Sequence, residues 1–124
     1  MIKEITLKDI EIGQESNKDI IKKNVSGKIL KIQVVVGEVN AGMNLKILTR
    51  EGETVLNVSG SGVYYPRSNI SSQKLMEGSI NMEGDKMDYY YFYNGLLFNI
   101  TKSNPKFEGV IIERVTILYD DCSR

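Results

Sequence analysis

The feature that most limits what this chain can become is an alternation of apolar and polar residues with a period of two, repeated along most of its length. In residues 28–36, Leu30, Ile32, Val34 and Val36 fall on one side, the pattern of a strand with one buried face. Met43, Leu45 and Ile47 then alternate with Asn44 and Lys46, the run Arg50-Glu51-Gly52-Glu53 supplies a turn, and residues 54–59 resume extended, β-branched sequence. That pair reads as a hairpin. Leu96, Phe98 and Ile100 face one way while Leu97, Asn99 and Thr101 face the other. A last run over residues 109–119 carries apolar side chains on both faces, which predicts a central strand buried on both sides.

Asn94-Gly95 is the dipeptide best suited to a two-residue turn needing positive φ at both positions, so residues 87–93 and 96–101 are expected to form a second hairpin. Helix signals are sparse. Ser16, followed by Asp19 and then Ile20-Ile21, fits a capping box before a short helical turn ending by Asn24. Residues 72–77, stopped by Gly78, fit another within a loop over residues 66–79. The expected fold is therefore all-β, an antiparallel two-sheet β-sandwich of jelly-roll-like form with at most one or two helical turns. With 124 residues it is one domain, residues 25–124 making the sandwich and residues 1–24 an N-terminal arm or first strand.

Sixteen Lys plus Arg balance sixteen Asp plus Glu, which argues against an electrostatic hold on nucleic acid or anionic lipid. The chain has no histidine and one cysteine, Cys122, so His-dependent triads, His-ligated metals and intrachain disulfides are excluded. Neither cofactor nor metal is expected. No stretch approaches the roughly 18 apolar residues of a membrane span, and the first nine residues lack the apolar core of a signal peptide. Synthesis in a cytoplasm without secretion is expected, leaving the sequons at Asn24, Asn57, Asn69 and Asn99 unglycosylated. No glycine-rich segment has the lysine or the helix start of a phosphate loop.

Among residues that can do work, the tract Tyr89-Tyr90-Tyr91-Phe92-Tyr93 stands out. As a strand it would put Tyr89, Tyr91 and Tyr93 on one side and Tyr90 and Phe92 on the other. Both sets can pack as core, or one can face outward as a partner anchor or a platform for sugar rings. Tyr64, Tyr65, Pro66 and Arg67 end a strand with the composition of an interface, although a tyrosine closing one end of the core is the commoner account. Residues 81–88 loosely resemble a calcium loop but lack its full ligand set. The carboxylate pairs Asp120-Asp121 and Glu51 with Glu53 lie on turns or in the tail, where hydrated, unshifted carboxylates are the default.

The run of strands through residues 27–32 and 45–49, then Tyr64-Tyr65-Pro66, then residues 94–100 and 110–119, resembles small β-sandwich accessory proteins of tailed-phage virions. The likeness rests on strand order and turn positions over residues 25–119. It implies a non-enzymatic virion subunit, a capsid decoration or head-neck protein, with capsid or neck subunits and further copies of itself as partners. Tyr64, Tyr65, Pro66, Arg67, Tyr90 and Phe92 would form the partner surface, and residues 1–24 an arm ordering on a neighbour. A glycan-binding module using Tyr89, Tyr91 and Tyr93, or Tyr64 and Tyr65, is the alternative.

Overall fold

A computed structural model describes residues 1–69 and 87–122. The described strands are β1 (Ile2–Ile12), β2 (Asn17–Lys23), β3 (Gly27–Val36), β4 (Met43–Thr49), β5 (Thr54–Val58), β6 (Gly62–Tyr64), β7 (Arg67–Asn69), β8 (Met87–Tyr89), β9 (Tyr91–Phe92), β10 (Gly95–Lys102) and β11 (Gly109–Asp120). One 3₁₀ turn, Val39–Ala41, joins β3 to β4. Every described strand pair is antiparallel. One sheet runs β1-β11-β3-β6 with β9 also on β3, the other β2-β10-β4-β5, and β7-β8 form a separate ribbon. The chain passes between a five-stranded and a four-stranded layer, and the orders β1-β11-β3-β6 and β2-β10-β4-β5 are the connectivity of a jelly roll.

The sheets close on a core in which Ile29, Ile32, Leu45, Ile47, Leu96, Phe98, Ile100, Ile111, Ile112 and Ile117 are wholly buried. On β4 and β10 the inward and outward sets are those the alternation predicts. The β4-β5 hairpin forms as expected, with the Thr49 N–H donating to the Glu53 carbonyl across the turn. β11 is central, between β1 and β3, but its outer face is covered less than expected: Thr116 and Leu118 are half-buried, and Glu113 and Arg114 are exposed.

Bulges account for departures from strict alternation. β11 pairs Tyr119 with Ile29 and Leu118 with Lys31, skipping Leu30, so Ile29 goes inside and Leu30 is half-buried. In β1, Asp9 takes a left-handed φ of 50° beside an irregularity in the ladder. The buried set therefore shifts from Ile5 to Ile10 and Ile12.

Two expectations need correction. Residues 17–23 form strand β2 rather than a helical turn, pairing with β10 from Asn17↔Thr101 to Lys23↔Gly95. A helix this short is marginal alone, whereas the β10 edge offers it a full ladder. Of the two alternatives for residues 1–24, an arm or a first strand, the structure has the strand and adds a second, β1 and β2.

Asn94 and Gly95 do have positive φ, 61° and 127°, but they do not close a hairpin. Phe92 pairs with Gly27 in one sheet and Gly95 with Lys23 in the other, so the dipeptide turns the chain from layer to layer. The Asn94 N–H donates to Ser26 Oγ at 2.9 Å, and Arg50 Nη1 donates to the Asn94 carbonyl at 3.1 Å. A Cβ at position 95 would stand 2.3 Å from the Lys22 carbonyl oxygen, so the corner requires glycine for both space and dihedral.

Candidate docking surface

The outer edge of β3 is completed by two short strands. β6 covers it from Ile32 to Val34 and β9 at Gly27 and Lys28. Between them the Ile29 N–H donates to the Tyr90 carbonyl at 2.9 Å, and Arg67 Nη1 donates to the Leu30 carbonyl at 3.3 Å. The aromatic tract is thereby fixed in register, and the register decides which side chains turn outward. Phe92, opposite Gly27, points inward, 3% exposed, with its ring edge-to-face on Tyr119 at 5.3 Å between centroids. Tyr91, opposite Lys28, points outward and is 54% exposed, and Tyr93 is 73% exposed.

Tyr89 is half-buried, with Lys28 Nζ over its ring at 4.6 Å from the centroid and the Arg67 guanidinium at 4.1 Å. Both distances fall within cation–π range. Tyr65 follows Tyr64 along the same edge and is 62% exposed. From the pairings of Tyr64 with Ile32 and Tyr91 with Lys28, Tyr65 and Tyr91 are separated along β3 by roughly 10 Å of strand rise.

Of the six residues expected to form a partner surface, only Tyr65 is largely exposed. Arg67 is half-buried and occupied with the Leu30 and Pro66 carbonyls and Tyr89. Tyr64 and Tyr90 are half-buried against the core, and the Tyr64 hydroxyl donates to the Gly60 carbonyl at 2.9 Å. Pro66 and Phe92 are buried and have no docking face, because the pairing of Phe92 with Gly27 turns the Tyr90/Phe92 side of the tract inward. The exposed tyrosines are Tyr65, Tyr91 and Tyr93, all three belonging to the sets considered for sugar stacking.

The Asp120-Asp121 pair is engaged in ion pairs. Lys3 Nζ lies 2.9 Å from Asp121, and the Met1 amino group reaches both Asp120 and Asp121. Its hydrogen bond, then the Cys122 N–H, hold the Asp120 carboxyl below its ordinary value. Glu51 and Glu53 are exposed on the β4-β5 turn. Among the described residues no group of three or more His, Cys, Asp or Glu is placed to hold a metal ion, and no helix is long and apolar enough to cross a membrane. Residues 72–77, and all but the end of the 81–88 run, lie outside the described residues.

Alternation carries one residue inward that the search for sites passed over. Lys102 follows Leu96, Phe98 and Ile100 on the core side of β10 and is 6% exposed. Its ammonium donates to the Gly13 and Phe107 carbonyls, tying the β1-β2 and β10-β11 loops together at one end of the sandwich. Beside that end lies an open cleft of about 650 Å³ lined by Val36, Glu38, Asn44, Ser59, Thr101 and Ser103 among others. No protein-family model matches the sequence, and a search of curated proteins finds no match.

Proposed function

We propose that this chain is a non-enzymatic structural subunit that docks on a neighbouring protein through Tyr65, Tyr91 and Tyr93. The observation that carries the reading is exposure beside one edge: Tyr65, which follows β6, Tyr91 in β9 and Tyr93, which follows β9, are each more than half exposed, and β6 and β9 both pair with β3. Tyrosine suits such a task because it brings a large apolar area and few rotamers to an interface. The edge beneath is ordered in advance by the Phe92–Tyr119 contact, the Tyr90 carbonyl's bond to β3 and the cations over Tyr89, so little entropy is lost on binding.

The neighbour is a capsid or neck subunit of a tailed-phage virion. That assignment is supported by the resemblance in strand order and by a jelly-roll connectivity that viral capsid domains also use. With many copies on a lattice, a modest contact per copy suffices.

The test is co-sedimentation of the purified chain with particles assembled without it, comparing wild type with the triple variant Tyr65→Ser/Tyr91→Ser/Tyr93→Ser. Wild type should pellet with the particles and the folded variant should stay in solution. Equal pelleting of both would overturn the reading. So would wild-type binding to immobilised glycans, lost in the same variant, with no binding to particles.

A further inference from the structure

The opposite edge of the same sheet is β1, eleven residues long and paired on one side only, to β11, among the described residues. Its pairing fixes which backbone groups are left over. The Asp121 N–H donates to the Met1 carbonyl, so along this ladder Met1, Lys3, Ile5 and Leu7 turn their peptide groups toward β11. Ile2, Glu4, Thr6 and Lys8 turn theirs to the open side. Such a row is a template for another strand unless something blunts it.

The residues on that row have a particular order. About Thr6 the sequence is self-complementary when read against itself antiparallel: Glu4 falls opposite Lys8, Ile5 opposite Leu7, and Thr6 opposite itself. Glu4 and Lys8 are both exposed, Thr6 and Leu7 are half-buried, and the bend at Asp9 ends the regular edge just beyond Lys8.

We infer that β1 is a homodimerisation edge, pairing antiparallel with β1 of a second copy across a twofold axis at Thr6, so that the two β1-containing sheets become one. Thr6 with Thr6 and the two Glu4–Lys8 pairs are then the hydrogen-bonded pairs, each exchanging both N–H···O bonds. The parity agrees with the peptide groups left open by β11. On the outer face each Glu4 carboxylate meets a Lys8 ammonium, and on the inner face Leu7 gains Ile5 of the other copy as cover. A shift of one residue would aim the strand's bonded peptide groups at the partner, so the register is set by backbone and charge together. The arrangement is isologous, as a closed dimer requires, and leaves the tyrosine edges at the two far ends of the joined sheet. It does not depend on the proposed docking function.

Sedimentation velocity across micromolar to millimolar protein tests it. Wild type should pass from monomer to dimer. Lys8→Glu should weaken self-association by about tenfold or more, as two attractive cross-strand pairs become repulsive, and Glu4→Lys/Lys8→Glu should restore it. In the dimer the Glu4, Thr6 and Lys8 amides should exchange hydrogen more slowly, while Lys3, Ile5 and Leu7, already bonded to β11, should not change. A wild type monomeric throughout, a dimer indifferent to Lys8→Glu, or a charge swap that fails to restore it overturns the inference.

Discussion

Replacing Lys102 by methionine probes how the loop end of the sandwich is held. The side chain is buried and its ammonium donates to two backbone carbonyls, Gly13 and Phe107, from different loops. Methionine nearly preserves length and volume, so packing changes little. Removing the charge recovers the cost of burying an ammonium, several kcal/mol, which is why apolar replacement of a whole buried ion pair is often neutral. Here the partners are main-chain carbonyls and stay behind. Two charge-assisted bonds of about 1.5–3 kcal/mol each are lost. Against the recovered desolvation, the net destabilisation is about 2–4 kcal/mol. For a domain of this size that lowers Tm by about 8–16 °C, read by calorimetry and checked by urea unfolding. An unchanged or higher Tm would refute the argument that these carbonyls depend on the ammonium.

Gly95→Ala should destabilise by about 3 kcal/mol or more in urea titration, since the new Cβ meets the Lys22 carbonyl at 2.3 Å while φ is held at 127°. Phe92→Ala should cost about 3–5 kcal/mol by the same measurement, and Tyr93→Ser, on the exposed side of the tract, less than about 0.5 kcal/mol. Glu15 accepts its own and the Gly13 backbone N–H, and Lys18 and Lys102 add attraction, so its carboxyl is held below 4.5. Its contribution is present above that value and is lost as pH falls through the depressed folded one. NMR titration of the Glu15 carboxyl should give a midpoint under 4.5, and Glu15→Gln should flatten the acid limb of stability.

The layered architecture was legible because β3, β4 and β10 alternate over enough residues to declare a buried side, while β5 and β11 read as extended, β-branched runs. β1 was not, because the left-handed Asp9 resets its parity midway: Ile5 and Leu7 fall on odd positions, Ile10 and Ile12 on even ones. β2 hides for another reason. It is an edge strand with three lysines and only Ile20 packed against the core, a composition that reads equally well as a helical turn. Asn94-Gly95 announced its dihedrals correctly, but a turn's dihedrals do not specify which sheet each arm joins. The division of the tyrosine tract into two faces followed from strand geometry alone. Which face is outside depends on the pairing of Gly27 with Phe92, a contact between residues far apart in sequence. The inward lysine was readable from Leu96, Phe98, Ile100, Lys102, had the alternation been carried one step past the apolar residues.

Site-specific photo-crosslinking tests the proposed docking surface most directly. A photoreactive phenylalanine analogue at position 91, in cells that assemble the particle, should join this chain to a capsid or neck subunit on illumination, while the same analogue at buried position 92 should not. Particles that lack the chain altogether, or crosslinks from position 92 and none from position 91, would contradict the account.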